Sequence, residues 1–198
     1  MSTIKTTNIT HGSNSGTENL VLASNGNVTV AGALAAGSFT GAGITGLDTW
    51  RLTVDTTSDA SYITSNWARA TGTLDASIGT AVSESSGVFT LPNTGIWWIR
   101  FSAEIYRNAG LRYIQAQIDG STDGFASNTT ILATGHDCLY PHNNLNAHGT
   151  VTAETFYDVT NTSNNKIKVS TKGDNDGTME SHADRNVTFI QFIRIGDT

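Results

Sequence analysis

The chain has 198 residues, with 17 acidic and 11 basic side chains giving a formal net charge of −6. This weak acidity argues against phosphate-backbone binding as the main task. Charged residues make up 14% of the chain, whereas Ser, Thr, Asn and Gly together make up roughly 43%. The surface is therefore polar but sparsely charged, and enough Val, Ile, Phe and Trp remain for a core to exclude a disordered tract. Cys138 is the single cysteine, which excludes an intrachain disulfide and a cysteine zinc cluster. It reads as a small, partly buried side chain. The first eight residues lack a signal-peptide core and no apolar run nears ~18 residues, which predicts synthesis in a cytoplasm without membrane insertion.

Residues 1–47 carry only Lys5 and Glu18 as charges and hold eight glycines. Leu20–Ala23 and Asn27–Ala31 read as short strands around Ser24, Asn25 and Gly26, because Asn-Gly adopts the left-handed conformations of a tight hairpin. The large apolar residues between Ile4 and Leu47 are too few for an independent core. Pieces below about 40–50 residues without a disulfide or metal usually need association to offset the entropy of ordering. The expectation is an N-terminal stalk over residues 1–49, in which three chains share one interior.

Residues 50–198 hold all four tryptophans and most of the strand signal. In Ile96–Tyr106 the residues Trp97, Ile99, Phe101, Ala103 and Ile105 alternate with Trp98, Arg100, Ser102, Glu104 and Tyr106, the period of a half-buried strand. Further strands are expected over 50–55, 88–91, 112–119, 129–134, 149–159 and 165–171, each bounded by turn residues. No amphipathic helix separates them. The expected fold is all-β, an antiparallel sandwich with a jelly-roll head.

The last segment, 186–195, is apolar on both faces, with Val187, Phe189, Ile193 and Ile195 on one side and Ile190 and Phe192 on the other. A strand covered twice in a two-layer fold calls for something outside the domain. Val187, Phe189, Ile190, Phe192, Ile193, Trp98 and Tyr106 are the resulting candidates for a trimer interface.

Signals for chemistry are sparse. The five histidines are expected mostly in turns, and the spacing of His136, His142 and His148 matches no zinc pattern. Asp174 and Asp176 sit in a fragment of a calcium-loop pattern, but that register places Lys172 and Ala183 at the first and last ligand positions. They remain weak candidates, and no metal or cofactor is expected. Asp119 with Asp123, and Glu154 with Asp158, could act as acid pairs only if brought together in space, which sequence spacing does not establish. No hydrolase elbow, zinc-protease helix, phosphate loop or dinucleotide fingerprint occurs, so the chain is not expected to be an enzyme. Trp98, Tyr106, Tyr113 and Tyr140 are the aromatics that could stack on sugars.

The stretch Gly87-Val-Phe89-Thr-Leu-Pro92-Asn-Thr-Gly95-Ile-Trp97-Trp-Ile-Arg-Phe101 resembles the globular heads of the complement and tumour necrosis factor superfamily, where Gly-x-Phe, a Pro and Gly-x-aromatic lead into a long central strand. Thr188–Ile193 is similar to that family's last strand. The resemblance implies a jelly roll with Phe89, Trp97 and Phe101 in the core, Pro92 and Gly95 shaping a turn, and threefold association through one sheet; related heads sometimes bind calcium. The run from Gly26 to Leu47 resembles the stalk segments before heads in bacteriophage tail fibres. It lacks the glycine at every third position of a collagen stalk.

Together these features predict a non-enzymatic virion structural protein, a homotrimeric fibre or spike component. Residues 1–49 would dock on other virion proteins. The head would attach to a host-surface glycan or protein through loops such as 119–128 and 135–148, without nucleic acid or membrane insertion. The alternatives are a capsid-decorating protein or head fibre, and a freestanding carbohydrate-binding module.

Overall fold

The computed structural model describes residues 43–197 apart from 74, 108, 141–145 and 174–176, together with three short strands nearer the N terminus. The chain divides into two units, Met1–Gly41 and Ala42–Thr198. In the first unit, β1 (Asn8–Ile9), β2 (Leu20–Leu22) and β3 (Val28–Val30) form an antiparallel sheet in that order. The register Leu20↔Val30 and Leu22↔Val28 agrees with the hairpin read from the sequence. Of the rest of the predicted stalk, residues 43–49 belong to the second unit, and the remainder lies outside the described residues.

The second unit contains β4 (Gly46–Leu52), β5 (Thr56–Thr57), β6 (Trp67–Arg69), β7 (Ser83–Ser85), β8 (Val88–Thr90), β9 (Gly95–Arg107), β10 (Leu111–Ser121), β11 (Thr130–Leu139), β12 (Ala147–Val159), β13 (Lys166–Gly173), β14 (Thr178–Met179) and β15 (Phe189–Gly196). No helix occurs among the described residues. The strands form two antiparallel sheets. One runs β11-β10-β13-β8-β7. The other is built on β9, which pairs with β12 along its whole length. Its opposite edge is shared end to end by β15 and β14, and β15 continues through β4 to β6.

Alternation decides which side chains meet between the sheets. Trp97, Ile99, Phe101, Ala103 and Ile105 of β9 are all buried, and they face Ile114, Ala116 and Ile118 of β10 and Ile167 and Val169 of β13 in one core. Phe89 sits at its centre, edge-on to Trp67 at 5.4 Å and to Trp50 at 6.1 Å, and tilted against Phe192 at 5.4 Å. The turn into β9 follows the expected pattern: Pro92 is half-buried, and Gly95 is buried with φ of 126°. A side chain at Gly95 would also collide with the Gly196 carbonyl oxygen.

Several features depart from the sequence reading. The first head strand begins at Gly46, so residues 46–49 pair with β15. Their polar character hid this. Asp48 is buried, but its carboxylate accepts from Arg69 Nε at 2.7 Å and from the Val82 amide at 2.8 Å. Ile190 and Phe192 are 0% exposed and belong to the core, which removes them from any interface with another chain. His136 and His148 lie in strands β11 and β12 rather than in turns, and residues 135–139 are strand rather than loop. Cys138 is exposed, because most of β11 forms an outer strand with little contact to the core.

One side of the sandwich is closed where β11 approaches β12. A Cβ at Gly135 would collide with the Thr152 carbonyl oxygen. Gly135→Ala is therefore expected to lower unfolding free energy by about 1–3 kcal/mol, the usual range for overpacking. Urea denaturation would measure it, and an unchanged midpoint would show that the two strands can separate without loss.

Candidate subunit interface

The outward face of the β9 sheet follows directly from register, since residues directly opposite in antiparallel strands point to the same side. Phe156 of β12 pairs with Trp98 of β9, Trp98 with Ile193 of β15, and Ile193 with Leu47 of β4. Leu47 in turn bridges to Ile78 through two backbone hydrogen bonds. The result is an unbroken apolar row across five chain segments. Phe156 is 67% exposed and Ile78 45%, with Trp98, Ile193 and Leu47 half-buried between them.

On one side the row continues into apolar surface, with half-buried Ile96 opposite Asp158 and Ile195 48% exposed; on the other side it is rimmed by polar residues. Glu154, Arg100, Gln191 and Thr49 form the next row, in which Gln191 Nε2 donates to Thr49 Oγ1 at 3.3 Å. Arg100 Nε is buried without a hydrogen-bond acceptor, so this face carries an unused donor beside its apolar row. Beyond it, Thr152 and Ser102 hydrogen-bond side chain to side chain at 3.2 Å, next to half-buried Phe189. Arg51 completes that row, buried and ion-paired with Asp75, which covers the β4 end of the face.

Five of the seven candidates for the trimer interface remain available. Phe189, Ile193, Trp98 and Tyr106 lie on this outward face, and Val187 is half-buried just before β15. Tyr106 lies two rows past Ser102 and stacks on His148, with ring centroids 5.3 Å apart. Sequence reasoning missed Phe156, Leu47 and Ile78. Each is a lone apolar residue in a polar stretch, and only strand register joins them.

The predicted recognition loop 119–128 is organised around one carboxylate. Asp123 accepts from Ser121 Oγ at 2.7 Å, Ser127 Oγ at 2.8 Å, and the amides of Ser127 and Asn128, both at 2.9 Å. Those donors, Ser121 first, hold its carboxyl down at about 2. Phe125 takes the left-handed φ of 67°, and Lys168 Nζ lies 4.3 Å from its ring centroid and 5.0 Å from that of Tyr62. A folded value below the ordinary 3.8 means the bonds stabilise the loop fully above pH 4 and are lost as pH falls through about 2. The Ser127 and Asn128 amide resonances are thus expected to titrate with a midpoint near 2; a midpoint at 3.8 would mean the bonds do not persist in solution.

The other predicted sites are not assembled. Asp119 is buried, accepting from Tyr62 Oη at 2.9 Å and Gln117 Nε2 at 2.8 Å, and serves as a structural acceptor. Glu154 and Asp158 lie on the outward side of β12, exposed and two residues from each other's nearest neighbour, Phe156. Tyr113 and Tyr140 are exposed. Asp174, Asp176 and His142 lie outside the described residues.

No protein-family model matches the chain, and no curated protein matches it. Among solved structures it is similar to the tumour necrosis factor Eiger of S. frugiperda, with a TM-score of 0.59 at 9% identity, covering 79% of this chain and 95% of that one. Murine APRIL gives a TM-score of 0.54 at 12% identity, covering 76% of this chain and 98% of that one. The fold of the head is thus a jelly roll like that of tumour necrosis factor.

Proposed function

We propose that this protein is a non-enzymatic structural component of a bacteriophage virion, assembled as a homotrimer in the host cytoplasm. Three heads pack through the outward face of the β9 sheet, and the glycine-rich segment that precedes β4 fixes the trimer to the particle. The observation that carries the reading is the apolar row Phe156, Trp98, Ile193, Leu47 and Ile78, contiguous across the outward face of the sheet. Apolar residues contiguous across a sheet, rimmed by polar ones, are the pattern of a surface covered in use. The tumour-necrosis-factor-like fold supports threefold association, and the fibre-like composition of the N-terminal segment supports the virion assignment. On this reading the chain's work is mechanical and adhesive.

Light scattering on the purified full chain tests assembly, the expected mass being three times 20.9 kDa. A monomer at micromolar concentration would overturn the trimer. Antibody-label microscopy on intact particles then separates two addresses. Label at the tail tip supports a fibre or spike that meets the host surface, whereas label over the capsid supports a decorating role. Absence of label from particles would overturn the virion assignment.

A further inference from the structure

We propose that Glu104, His148 and Glu180 form a divalent metal site suited to Zn²⁺, with a fourth coordination position open to water. The three residues come from different parts of the chain. Glu104 projects outward from β9, His148 from β12, and Glu180 follows β14 directly. Their meeting is set by backbone pairing. His148 lies opposite Tyr106 in the β12–β9 register, and the Glu180 amide donates to the Glu104 carbonyl at 2.8 Å. His148 Nδ1 is 3.4 Å from Glu104 Oε1 and 3.2 Å from Glu180 Oε2, and one donor atom from each residue fits within 4.8 Å.

Those separations suit a small tetrahedral ion. Bonds of about 2.0–2.2 Å to nitrogen and oxygen place neighbouring ligand atoms about 3.3–3.6 Å apart. Two carboxylates and an imidazole are also the oxygen and nitrogen donors that Zn²⁺ takes in protein sites. Tyr106 stacked on the imidazole, at an interplanar angle of 25°, restrains the ring as an outer support of a metal ligand does. All three side chains are partly exposed, at 49%, 32% and 35%, so an ion has an entry path. Every ligand belongs to one chain, and Glu104 and His148 share the outward face of the β9 sheet with the apolar row.

Calorimetric titration of ZnCl₂ into the chelator-treated full chain, with Co²⁺ absorption as a second readout, tests the site. The expected result is one ion per chain and the intense visible bands of tetrahedral Co²⁺. His148→Ala and the shape-preserving Glu180→Gln should each weaken binding by at least the about 10–100-fold that loss of an outer-shell partner costs. His136→Ala, a control in strand β11 of the other sheet, should bind as the unaltered chain does. Substoichiometric binding, or an affinity unchanged in both His148→Ala and Glu180→Gln while circular dichroism shows them folded, would overturn the proposal.

Discussion

Trp98→Asp is expected to move the assembled protein towards single chains while leaving each head folded. Trp98 stands at the middle of the apolar row, paired to Phe156 on one side and Ile193 on the other. Its backbone belongs to a strand whose core-facing residues, Trp97 and Ile99, are untouched by the change. A carboxylate placed there would be desolvated against apolar side chains without a partner. Central aromatic residues typically contribute 2 kcal/mol or more to an interface, and a threefold assembly repeats the loss in all three contacts, so the total is about 6 kcal/mol. Light scattering across a dilution series would show mass falling towards 20.9 kDa at concentrations where the unaltered chain remains associated. An unchanged mass would place the contacts that hold the chains together elsewhere, most directly in the N-terminal segment.

Phe89→Ala should instead act on each chain alone, with a loss of about 3–5 kcal/mol in unfolding free energy. Phe89 is fully buried and touches aromatic rings from β4, β6 and β15, all in the opposite sheet from its own β8. Truncation leaves a void between the sheets that three rigid rings cannot readily fill. Chemical denaturation gives the number. A loss below about 1 kcal/mol would mean the aromatic cluster repacks. The same logic separates two adjacent residues of β15: Phe192→Ala should destabilise the fold, whereas Ile193→Ala should weaken association, because they point to opposite faces.

That pair illustrates what the sequence could convey. Alternation identified β9 and its two faces correctly, since its inward residues from Trp97 to Ile105 are all apolar and its outward ones mostly polar. In β15 both faces are apolar, so period alone could not assign the core side; packing against Phe89 does so. The strand β11 was read too short because Gly135, His136 and Asp137 lie on a lightly covered outer strand, where burial imposes no apolar pattern. The cluster of Glu104, His148 and Glu180 left no local trace, its members being brought together only by antiparallel register and a single backbone bond. The aromatic motif from Phe89 to Phe101 was legible because its turn and its core residues are contiguous.

The closure of the sandwich by β11 against β12 bears on life in a crowd. Long strands with open backbone edges would invite neighbouring copies to add on without limit. Here the two long outer strands, β11 and β12, lie against each other, and the remaining margins are the three-residue strands β6 and β7 and the two-residue strand β5. Short margins of this kind offer a neighbouring copy little backbone along which to zip into an endless ribbon.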